Sequence, residues 1–128
     1  MDDDRMTSLK SMARQFLILT ATGAIDEAYT RFVADDFVHH NQYFKGDRES
    51  LKQAMLANAV AMPNKKIDVK SLVQEGDRIV TYSHVQIPGN AMEIAAFHMF
   101  RFGNGKIVEL WDSAQVIAQN GPNENGPF

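Results

Sequence analysis

The chain has 128 residues, 45% of them hydrophobic and 23% charged, with a formal net charge of −3 and no cysteine. That length holds about one domain, and the slightly acidic balance argues against a nucleic-acid or anionic-membrane partner. Without cysteine there is no disulfide, no thiolate metal site and no cysteine nucleophile.

No apolar run approaches the ~20 residues that span a bilayer. The N-terminal MDDDRMTS is acidic where a signal peptide would be basic, which reads as a cytoplasmic protein. The expected organisation is a single domain over residues 1–128, with an irregular tail from about residue 119.

The first helix is expected from about Thr7 to Thr20. Thr7 or Ser8 would cap it, and Met6, Leu9, Ala13, Phe16 and Leu17 form its apolar stripe. Gly23 breaks it. A second helix is expected over Ile25–Val33, where Ile25, Ala28, Tyr29, Phe32 and Val33 follow the i, i+3, i+4, i+7, i+8 template. Asp35-Asp36 should end it, and Phe37 to Asn41 reads as a short strand. In an extended segment one of His39 and His40 faces inward, and His40 is the expected one. Tyr43 and Phe44 lie in an exposed-looking loop. Asp47 should cap a third helix ending before Pro63. Its stripe is Leu51, Ala54, Met55, Asn58, Ala59 and Met62. Asn58 could look into a cavity or be an ordinary hydrogen-bonded helix residue, the preferred reading.

After Met62 the period changes to two. Strands are expected over Ile67–Gln74, Arg78–Ile87, Met92–Phe102 and Ile107 to about Ile117, with turns at Glu75-Gly76-Asp77 and Pro88-Gly89-Asn90. On the second of these, Val80, Tyr82, His84 and Gln86 share one face, and Ile79, Thr81, Ser83, Val85 and Ile87 the other. Periodicity does not say which is inward. The tail from Gln119 to Phe128 has no periodicity. It is either disordered or a flap held by Phe128. Helices grouped before an antiparallel meander indicate an α+β fold, a curved sheet wrapped around the N-terminal helices with a pocket between the layers.

The stretch AAFHMFRFGNGKIVELWD, residues 95–112, is the hairpin that fixes this pocket. A three-residue Gly103-Asn104-Gly105 loop puts His98 and Asp112 on one face with Phe100, Phe102, Val108 and Leu110. A two-residue Asn-Gly turn would separate them. The three-residue loop is the expected one, because it also leaves Arg101 and Glu109 together on the wetter face. Asp112 is then an aspartate in a strand expected to be well buried, where desolvation would raise its pKa and suit it to proton transfer. The competing reading is an aspartate capping backbone amides at a strand end. His98 either orients Asp112 and donates to a substrate oxygen or is a core histidine tied to a carbonyl. His40, His84, His98 and Asp112 also have the donor types for zinc or iron, but no local metal-ligand spacing.

Three segments carry a family resemblance: YTRFVADDFVHHN over residues 29–41, HMFRF over 98–102, and GKIVELWD over 105–112. They resemble SnoaL-like proteins, the polyketide-cyclase-like branch of the nuclear transport factor 2-like superfamily. The resemblance implies a cone-shaped α+β barrel, a deep apolar pocket, and a homodimer packed sheet to sheet. In the cyclases a pocket aspartate is the general acid/base of an intramolecular aldol closure, without metal or cofactor. Asp112 stands where that aspartate would be, His98 takes a second pocket position, and His40 looks like the histidine after the first strand. The expected protein is a cofactor-free enzyme of aldol-condensation or cyclase type acting on a small carbonyl substrate. Asp112 and His98 are its catalytic residues, and Phe16, His40, Met55, Tyr82, His84, Phe100 and Leu110 its substrate-binding ones. The alternatives are a non-catalytic binder of an apolar molecule and a His/Asp metal enzyme.

Overall fold

A computed structural model describes residues 8–128. Met6 and Thr7, assigned to the first helix above, lie outside the described residues. Helix α1 runs Leu9–Ala21, α2 Ile25–Phe32 and α3 Arg48–Ala61, and the strands are β1 Val33–His39, β2 Lys66–Glu75, β3 Arg78–Gln86, β4 Glu93–Gly103 and β5 Lys106–Val116.

Local chemistry sets the helix boundaries. Ser8 caps α1 by accepting from the Ser11 amide, and Gly23, at φ +94°, lets the chain turn into α2. Asp47 caps α3 by accepting from the Ser50 amide and hydroxyl, and these bonds hold its carboxyl below the usual carboxylate range. Strand β1 begins at Val33, earlier than the sequence suggested, so Val33 opens a strand rather than closing a helix. The Lys106 ammonium donates to the Thr30 and Arg31 carbonyls at the end of α2, which ties the start of β5 to that helix end.

The sheet order is β1-β5-β4-β3-β2. The last four strands form an antiparallel meander, and β1 joins its end parallel to β5. Register shifts at Lys70 in β2 and at Val108 in β5 interrupt the ladder. Such bulges bend and twist a strand. The helices cover the concave face. Phe16, Leu17, Ile25, Ala28, Tyr29, Phe32 and Leu51 pack there against Ile79, Phe100, Phe102, Ile107 and Leu110. Phe16 meets Phe100 nearly edge-on, with ring centroids 6.0 Å apart. Each large apolar side chain fully buried in this layer contributes about 1.5–3 kcal/mol.

Candidate functional site

The site is built by the β4–β5 hairpin, and its turn differs from the expected one. Gly103 pairs with Lys106, so the loop is the two residues Asn104 and Gly105, at φ +51° and +76°. Two positive φ values in a two-residue loop make the hairpin turn whose twist suits antiparallel strands. Left alone, that turn would have put His98 and Asp112 on opposite faces. It does not, because Val108 is an extra residue. Phe102 pairs with Ile107 and Arg101 with Glu109, leaving Val108 as a bulge that reverses the parity of β5. His98 is therefore the direct cross-strand partner of Asp112, and Phe100 of Leu110. The bulge also corrects one face assignment, since Ile107 points into the core and is fully buried. Arg101 and Glu109 pair on the outer face as expected, at 2.9–3.0 Å.

Where α1 and α3 leave the sheet open there is a cavity of about 270 Å³. Leu17, Leu51, Met55, Ile67 and Val85 supply apolar wall. Asn41, Asn58, Lys65, His98 and Asp112 supply the polar and charged lining, and Phe44 lies at its edge. Asn58, preferred above as an ordinary helix residue, lines the cavity.

Asp112 is exposed at the mouth and not buried as the sequence reading held. It is nonetheless held in place. Its Oδ2 accepts from Asn41 Nδ2 at 3.1 Å, while Asn41 Oδ1 accepts from the Tyr43 amide at 3.0 Å, which fixes the orientation of the carboxamide. Behind Asn41 stands His39. Its Nδ1 accepts from the Asn41 amide at 3.1 Å and its Nε2 bonds to the Lys45 carbonyl. Nε2 therefore carries the proton in this loop.

His98 lies deeper. Its Nδ1 is buried without a partner, as are the hydroxyls of Thr81, its cross-strand neighbour on β3, and of Ser83. Nε2 is the ring nitrogen left to face the cavity. Burial pushes the imidazole below its ordinary value, and the Asp112 charge opposes that shift in part. The site thus pairs a solvated, oriented carboxylate with a neutral imidazole, one able to accept a proton and the other able to donate a hydrogen bond.

Other expected site residues are placed elsewhere. Met55 lines the cavity, while Phe16, Phe100 and Leu110 form the core behind it. His40, expected in the pocket, is on the outer face, where it bonds to Glu109 and stacks on Trp111 at 4.8 Å. Phe37 is the reason: burying it forces His39 inward and turns Val38 and His40 out. Tyr82 and His84 are also outside. Ile79, Thr81 and Ser83 fill the inner face of β3. Tyr82 stacks on Phe97 and donates to the Pro127 carbonyl, and His84 bonds to Glu93. Phe128 packs on both Tyr82 and His84, so the tail is a flap held by Phe128. The donor set His40, His84, His98 and Asp112 is split across the sheet. Among the described residues no group of three His, Cys, Asp or Glu is arranged to hold a metal ion. None of the described helices is long and apolar enough to cross a membrane. Asn41 and Lys65 were not singled out from the sequence. The polar residue after the His39-His40 pair, and a lysine beside the Pro63-Asn64 turn, were the available signals.

Three comparisons place this fold among known proteins. A family model described as SnoaL-like polyketide cyclase matches residues 10–120. No curated protein matches the sequence significantly. Solved structures do match in fold. One is a proposed polyketide cyclase from Bacillus cereus, 22% identical, with a TM-score of 0.71 over 82% of this chain and 72% of that one. Another is a SnoaL-like polyketide cyclase from Agrobacterium tumefaciens, 17% identical, with a TM-score of 0.70 over 84% and 91%. A third is AclR, a proposed hydroxylase from Streptomyces galilaeus, 21% identical, with a TM-score of 0.67 over 84% and 81%.

Proposed function

The chain belongs to the SnoaL-like polyketide cyclase family, and from that premise we propose that it is a cofactor-free enzyme of aldol-condensation or cyclase type. Asp112 removes a proton from the carbon next to a substrate carbonyl, and the resulting enolate attacks a second carbonyl. His98, through Nε2–H, donates a hydrogen bond to the developing oxyanion, and the proton on Asp112 is returned to the alkoxide. The observation that carries this reading is the placement of an oriented carboxylate and a neutral imidazole on adjacent strands of one cavity. Asn41 keeps the carboxylate aimed, which preserves the geometry that proton transfer needs. The same reading takes the protein as a cytoplasmic homodimer packed through its outer sheet face.

A second reading is favoured by the apolar walls of the cavity: a binder that holds an apolar molecule without changing it. The two are separated by incubating the protein in D2O with a panel of ketones, such as 2-tetralone and acetylnaphthalenes, and following α-proton exchange by NMR. The enzyme reading expects exchange faster than in buffer for at least one ketone. Saturable binding with no exchange across the panel would support the binder and contradict the acid/base assignment.

A further inference from the structure

Five Lys and Arg side chains of the described residues are partly buried, and four of them have partners. Arg48 donates to the Tyr29 carbonyl and lies over its ring. Lys52 pairs with Asp26, Arg101 with Glu109, and Lys106 with the two carbonyls at the end of α2. The fifth is Lys65. No hydrogen bond, ion pair or ring contact to another described residue reaches it, and its side chain lines the cavity.

The chain delivers it there. Helix α3 ends at Ala61, Pro63 follows, and Asn64 takes a left-handed conformation at φ +59°, which asparagine tolerates better than most residues. Extended backbone then begins, so Lys65 turns to the cavity while Lys66 is exposed. A cation partly withdrawn from water without a counter-charge is unfavourable. Consistent with that cost, burial lowers the affinity of Lys65 for its proton. The only carboxylate in the cavity lining is Asp112. It is bonded to Asn41 and lies beyond ion-pair distance of Lys65. The cavity therefore holds two opposite charges that do not neutralise each other, with apolar wall around them.

A guest that fills this space best is apolar, with an anionic group at one end and a neutral carbonyl at the other. We infer that Lys65 is the specificity-determining residue of the site, and that the substrate class is an apolar carbonyl compound bearing a carboxylate, which Lys65 binds while Asp112 and His98 face the carbonyl end. This rests on the function proposed above and deepens it by naming the substrate's charge. A charge-assisted bond between ammonium and carboxylate in a sheltered site is among the stronger single contacts.

The test uses two probes of equal shape, 2-naphthoate and its neutral analogue 2-naphthamide, titrated calorimetrically near neutral pH into the wild-type protein and its variants. The wild type is expected to bind the carboxylate at least about tenfold more tightly than the amide. Lys65→Met, which keeps the length and removes the charge, should abolish the preference. Lys65→Arg should retain most of it. Asp112→Asn should keep it, because no proton transfer is being read. Equal affinities in the wild type, no saturable binding of 2-naphthoate, or a preference undiminished in Lys65→Met would each overturn the inference. Because Asp112→Asn is expected to keep this binding preference and to lose ketone exchange, the two assignments fail separately. Loss of exchange with no carboxylate preference would remove Lys65's role alone, and the reverse result would remove Asp112's.

Discussion

An aspartate at a cavity mouth gains little from burial, so its usefulness depends on aim. Asn41 supplies that aim, and His39 and the Tyr43 amide hold Asn41. His98 is the complementary case, a side chain whose surroundings set its charge state. Its ordinary value of 6.5 is lowered by burial and partly restored by Asp112. Removing that negative charge in Asp112→Asn should therefore move the His98 titration to lower pH still, as read by NMR of the imidazole. An unchanged or higher midpoint would show that the two groups do not sense each other. The linkage has a defined sign. Above pH 6.5 neither folded nor unfolded His98 binds a proton, and this contribution to stability is fully present. As pH falls, the unfolded chain takes up a proton that the folded site resists, and stability is lost towards the lowered folded value. At this scale the sequence was informative about types and less so about faces. Asp112 and His98 stood out as polar residues on an apolar face. His40 was chosen over His39 because the inward demand of Phe37 was not used to set the parity of β1.

The hairpin shows how an element can reach the expected arrangement by another route. The Gly-Asn-Gly signal located the turn, and the pairing of Arg101 with Glu109 argued for the correct relation between faces. The loop nevertheless has two residues, and Val108 restores the parity as a bulge. A bulge leaves no period-two signature, because it is one residue that breaks the period, so sequence patterning could not separate it from a longer loop. The turn has a direct consequence. Gly105 sits at φ +76° with open space where a Cβ would go, so strain there comes from the backbone and not from a clash. Gly105→Val should cost about 1–3 kcal/mol, measured by urea denaturation, with His98 still opposite Asp112. A neutral effect would mean that the turn relaxes freely and does not fix the register. The helices were more legible, since Ser8, Gly23, Asp47 and Pro63 mark their ends by local chemistry.

Across the whole molecule, the α+β class followed from three amphipathic segments placed before four alternating ones, and the structure has that order. What the sequence could not supply was the side of the sheet on which each alternating face lies. That depends on long-range packing of Ile79, Phe100 and Leu110 against the helices. Tyr82 and His84 consequently belong with Phe97 and Phe128 on the outside, and the inner surface keeps few polar groups. Those few divide by task in the present account: Lys65 for the charge of the substrate, His98 for its oxygen and Asp112 for its proton. The most direct test is the rate of α-deuterium incorporation into the best ketone of the panel, compared between wild type and Asp112→Asn at equal folded concentration. General acid–base catalysis contributes about 10²–10⁴-fold, so the variant should lose a factor of that order while keeping its circular dichroism spectrum and its ligand affinity. Exchange that continues at the wild-type rate in Asp112→Asn would contradict the account.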